Sequence, residues 1–157
     1  MSEQHRTAFL GSLGENIVAW HLRSKYGIQT SIIKGKGIDL LCIDKEGKLF
    51  PKNRHIAISV KTRARSKEKN SLSVTLDWSK INEFSNVWNA LPYLAYVRIC
   101  PENGCITLFL VKVSEAEQWG KLFNVTKAEA EENSKILFEM KFEPFAFLVD
   151  WENTKES

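Results

Sequence analysis

The chain has 157 residues, 43% hydrophobic and 26% charged, with four prolines; this describes one ordinary globular domain and excludes a disordered tail. No apolar run reaches the roughly 18 residues that cross a bilayer, so no transmembrane helix is available and no membrane partner is expected. The net charge of +3 is polarised, because residues 1–80 hold 15 Lys and Arg against 7 Asp and Glu, while residues 81–157 hold 7 against 12; a polyanion is the partner that such a first half implies.

In chain order, Glu3 to Tyr26 predicts a helix. Phe9, Leu13, Ile17 and Trp20 share one face, Val18 and Leu22 widen the apolar arc past Gly11 and Gly14, and Gly27 is the stop. Ile28–Ile33 and Ile38–Ile43 read as strands separated by Lys34-Gly35-Lys36-Gly37, and Asp44-Lys45-Glu46-Gly47 is a turn signal. His55–Lys61 is a third strand, followed by a charged loop. Alternation at Leu72, Val74 and Leu76 gives a short strand leading to a helix capped by Asp77 and ending before Pro92. Trp78, Ile81, Phe84 or Ser85, and Trp88 form its apolar face. Tyr93–Cys100 and Cys105–Val113 form a hairpin around Asn103-Gly104. Short helices are expected at Glu115–Leu122 and Lys127–Glu132, and terminal strands at Ile136–Phe142 and Phe145–Val149. The order gives a single domain, residues 1–157, with a mixed sheet flanked by helices, a core at about 8–112 and a C-terminal appendage at about 113–157.

Chemistry concentrates on the second and third strands. Period-two alternation sets Asp39 and Leu41 on one face of the second strand, and Ser59 and Lys61 together on the third. A simple hairpin pairs Asp39 with Lys61 and Leu41 with Ser59, leaving carboxylate and ammonium at the end away from the turn. Such a pair is either an ion pair or part of a metal–water site. Phosphodiester hydrolysis calls for a divalent cation on carboxylate and carbonyl oxygens, with a cationic group near the attacking water. Asp39 and the Val60 carbonyl are the candidate ligands, and Lys61 the group that orients water and opposes charge developing on phosphorus.

These residues resemble the PD-(D/E)XK nuclease superfamily, in particular its Holliday-junction-resolvase-like members. Gly11-Ser12-Leu13-Gly14-Glu15 is similar to the acidic first-helix element of that family, and Gly37-Ile38-Asp39-Leu40-Leu41 to its Asp strand. Ser59-Val60-Lys61 stands where the family has Glu-x-Lys. The resemblance covers roughly residues 8 to 112. It implies a restriction-endonuclease-like αβββαβ core, a Mg²⁺- or Mn²⁺-dependent endodeoxyribonuclease, DNA as partner with branched forms included, and a homodimer. Glu15 then becomes an accessory acid and metal ligand beside Asp39. Ser59 departs from the pattern, since a hydroxyl is a weaker ligand than a carboxylate for a hard cation. Either Ser59 acts through a bound water, or Glu83 or Asp77 of the second helix supplies the acid, or the site is degenerate. In that last case the chain is a DNA-binding or interaction module without catalysis.

Lys61, Arg63, Arg65, Lys67 and Lys69 put five cations in nine residues, against the single acid Glu68. With Lys34 and Lys36 they form the expected phosphate-contacting surface. Trp20, Trp78 and Trp88 are expected in the core, and His21 is expected to be structural. Cys42, Cys100 and Cys105 fit no zinc spacing. They read as reduced thiols of a cytoplasmic protein, consistent with an N-terminus that lacks the pattern of a secretory signal.

Overall fold

The structure is a computed structural model that describes residues 2–33, 35, 37–64, 71–100, 104–116, 122–126 and 135–141. Helix α1 spans Glu3–Tyr26 and is capped at both ends. The Ser2 hydroxyl accepts the His5 N–H, and Gly27 takes a left-handed φ of 63° that only glycine adopts without strain. Strands β1 (Gln29–Ile32), β2 (Leu40–Ile43) and β3 (His55–Ala64) follow, then β4 (Ser71–Thr75) and helix α2 (Trp78–Val87). Strands β5 (Leu91–Cys100) and β6 (Cys105–Lys112) lead to the single-turn α3 (Val113–Ala116), β7 (Leu122–Thr126) and β8 (Lys135–Lys141).

The main sheet has six strands in the order β1-β2-β3-β5-β6-β8, and β4 pairs with β7 in a separate ribbon. Among the described residues only β3 and β5 run parallel, with α2 on the crossover between them. The chain is therefore mixed α/β, as the strand pattern predicts. Central β5 is buried from Tyr93 to Cys100 because helices cover both of its faces. On one face Val18, Ala19 and Leu22 of α1 pack on Leu40, Ile56, Ile58, Val60, Ala95 and Val97. On the other, Ile81 of α2 and Val113 of α3 pack with Leu94, Tyr96, Phe109 and Val111.

Several expectations change. Strand β2 meets β3 with Leu40 opposite Ile58 and Ile43 opposite His55, so Asp39 lies level with Ser59 and not with Lys61. The cause is the connection at 44–54. The Asp44 carboxylate draws in the N–H groups of Gly47, Leu49 and Phe50, forming a wound turn in place of a symmetric hairpin. Strand β7 falls in the gap between the two short helices expected at Glu115–Leu122 and Lys127–Glu132; of the first, Glu115 and Ala116 lie in α3 and residues 117–121 lie outside the described residues. The buried edge of α1 runs through Gly14, Val18 and Leu22, leaving Trp20 54% exposed. Trp88 is also exposed, whereas Trp78 packs partly on the second cluster. His21 is buried with its ring edge-on to Tyr26, a structural role. Lys127–Glu132 and Phe145–Val149 lie outside the described residues. Among the described residues no helix is long and apolar enough to cross a membrane.

Candidate functional site

Asp39 immediately precedes β2 and is half-buried. Its N–H donates to the Ile58 carbonyl at 2.9 Å, and its carbonyl accepts the Ile33 N–H at 2.8 Å, which fixes the backbone between two strands. The side chain is fixed too, since Oδ2 accepts the Val60 N–H at 2.7 Å. In an extended strand the N–H and C=O of one residue point to the same side. The Val60 carbonyl therefore shares the side on which the Asp39 carboxylate lies.

Two more groups act on that carboxylate. Glu15, half-buried on α1, makes a side-chain hydrogen bond to Asp39, and Lys61 attracts it electrostatically. Burial pushes the Asp39 carboxyl above the ordinary aspartate range, and the Val60 N–H, Lys61 and Glu15 pull it only part of the way back. Two carboxyl groups in such contact repel when both are ionised. A shared proton or a bound cation reconciles them.

The remaining candidates fall into three groups. Ser59 is 1% exposed and lies level with Asp39. Asp77 and Glu83 sit on α2, but Asp77 caps the helix by accepting the Lys80 N–H at 3.1 Å, and Glu83 is exposed. The second carboxylate at Asp39 thus comes from α1. Arg63 is half-buried, and its guanidinium donates to the Thr62 carbonyl at 2.8 Å. Lys34, Lys36, Arg65, Lys67 and Lys69 lie outside the described residues. Among the described residues no cluster of three or more His, Cys, Asp or Glu is arranged for a metal, so the oxygen donors at hand are Asp39, Glu15 and Val60. Cys42 is no nucleophile, because burial pushes its thiol up to about 11.

Sequence alone does not bring Lys80 to this region. Gly37, with φ 88°, packs against the first turn of α2, where a Cβ on it would lie 3.5 Å from the Ile81 nitrogen and from Lys80 Cγ. That brings Lys80 beside the loop entering Asp39. Sequence does not single Lys80 out, because the Asp77 carboxylate at the N-cap already offsets a cation in the first turn of α2.

No protein-family model matches the chain, and no curated protein matches its sequence. Among solved structures it is similar to Archaeoglobus fulgidus Hjc, a Holliday junction resolvase from an archaeal hyperthermophile. The TM-score is 0.56 and the identity 18%, covering 80% of this chain and 90% of that one. At that identity the likeness is one of fold, and the mixed sheet with its flanking helices is restriction-endonuclease-like.

Proposed function

We propose that this chain is a metal-dependent, nuclease-like protein that hydrolyses phosphodiester bonds in DNA, branched DNA included. The observation that carries this reading is the meeting of the Glu15 and Asp39 carboxyls from two different elements, with Lys61 beside them. The donor chemistry fits Mg²⁺ or Mn²⁺, since such hard cations take one or two carboxylates, accept carbonyl oxygen and retain waters. Asp39 and Glu15 would hold the ion together with the Val60 carbonyl. When bound, the ion supplies Lewis-acid stabilisation of charge on the phosphoryl oxygens.

The chain's own groups do the rest. The Val60 N–H holds Asp39 in one orientation, so the carboxylate's backbone contact is already set when a cation binds. Lys61 orients the attacking water and faces the negative charge that grows on phosphorus. Lys80 and Arg63 contact flanking phosphates. The similarity of fold to a Holliday junction resolvase supports nucleic acid as the substrate class.

Incubation with plasmid, linear and four-way-junction DNA tests the reading. Cleavage is expected with Mg²⁺ or Mn²⁺, and a loss of at least about 100-fold in Asp39→Asn and in Lys61→Ala. Activity that survives either substitution refutes the assignment. Ser59 favours a second reading, a DNA-binding module without catalysis; DNA binding with no measurable Mn²⁺ affinity would establish it.

A further inference from the structure

We propose that the contact between Gly14 of α1 and Thr62 of β3 sets Glu15 against Asp39, which makes Gly14 and Thr62 positioning residues for the two-carboxylate site. This inference rests on the reading of that site given above.

Gly14 is buried, and a Cβ there would collide with the Thr62 hydroxyl and lie 2.9 Å from Thr62 Cβ and 3.2 Å from Cγ2. The helix backbone at Gly14 thus rests directly on the Thr62 side chain. Gly11, one turn earlier, is different, for a Cβ on it would meet nothing within 4 Å. Both glycines disfavour the helix relative to alanine, but only Gly14 is required by a neighbour.

Thr62 carries the second, independent observation. It is 5% exposed, and its Oγ1 has no hydrogen-bond partner among the described residues. A buried hydroxyl without a partner opposes folding. Two unfavourable features therefore coincide at one contact. Gly14 is the residue before Glu15, and Thr62 is the residue after Lys61. Widening the contact by a methyl group moves α1 outward and carries the Glu15 carboxyl away from Asp39, which stays pinned to Ile33 and Ile58 by its backbone and to the Val60 N–H by its carboxylate.

The test compares Gly14→Ala, Gly14→Ala with Thr62→Gly, Thr62→Val, and the control Gly11→Ala. In metal-free protein, nuclear Overhauser contacts between the Glu15 and Asp39 side chains report the pair directly. Mn²⁺ titration calorimetry then reports its consequence. Gly14→Ala is expected to lose the contacts and to weaken Mn²⁺ binding about tenfold or more. The double variant recovers both, and Gly11→Ala changes neither. Should Gly14→Ala fail to fold, Thr62→Val serves in its place, since it sets a carbon where the hydroxyl oxygen faces Gly14. It is expected to weaken the contacts in the same direction.

Contacts that persist in folded Gly14→Ala or Thr62→Val, or a folded double variant that does not regain them, overturn the proposal. Wild-type protein that shows the contacts and loses them in Gly14→Ala, yet binds no Mn²⁺, refutes the metal reading while upholding this one.

Discussion

Asp39 and Asp44 stand at the two ends of β2, and burial acts on both, yet their carboxyls settle on opposite sides of the ordinary value of 3.8. At Asp44 burial pushes upward but is outweighed by the backbone N–H groups of Leu49, Phe50, Lys48 and Gly47, so the carboxyl is held low. A carboxyl lowered in the folded state stabilises the fold fully above its unfolded value. That stabilisation is lost as pH falls through the folded value. Asp44→Asn removes the charge from these hydrogen bonds and is expected to cost about 2 kcal/mol at pH 7. The gap to wild type should close once the pH is well below 3.8, which urea unfolding at neutral and acid pH would measure. At Asp39 burial wins and the carboxyl is held high, so its charge opposes folding at neutral pH. Asp39→Asn keeps an oxygen for the Val60 N–H and removes a charge that burial opposes more than the Val60 N–H, Lys61 and Glu15 favour it. It is therefore expected to raise the melting temperature of metal-free protein at pH 7 while abolishing cleavage, as functional residues that cost stability do. A lower melting temperature would show that attraction to Lys61 outweighs the burial.

At the scale of elements, what is local is legible in the sequence and what is set by distant contacts is not. The bounds of α1 follow from apolar spacing and from a glycine free to take φ 63°, and the start of α2 from the Asp77 cap. The β5–β6 pair follows from its apolar runs, and Cys100 and Cys105 are partners in its register. The register of β2 on β3 is different, because it depends on how the Asp44 carboxylate winds the turn, which strand alternation does not encode. Strand β7 escapes because its partner β4 is far away in the chain, and five residues carry too little periodicity to separate strand from helix. Trp20 shares the apolar face of α1 on a helical wheel but stays in solvent, since the sheet meets the helix along its narrowest edge, at Gly14. The site divides in the same way. Glu15 on a helix margin and Asp39 at a strand start can be singled out from residue types and spacing. Their hydrogen bond cannot, because it requires the approach of α1 to Thr62.

At the scale of the whole molecule, the net charge of +3 conceals five cations between Lys61 and Lys69, beginning at the lysine that acts on Asp39. Structure adds Lys80, which α2 brings against Gly37 on the entry to Asp39. If this end of the sheet faces phosphate, DNA affinity must fall steeply with salt, by a log–log slope of about 0.9 for each duplex phosphate neutralised. Lys80→Ala is then expected to lower the slope by about one and to weaken all duplex sequences alike, because a phosphate contact carries no base information. Lys52 supplies the control. It is exposed in the 44–54 connection, at the opposite end of the β2–β3 pair from Asp39, so its loss should leave the slope unchanged. Fluorescence anisotropy from about 50 to 200 mM salt measures both variants. Equal losses at Lys52 and Lys80 would mean that the cations act as a diffuse cloud. A loss confined to Lys80 ties the polyanion to the end of the sheet where Glu15, Asp39 and Lys61 meet.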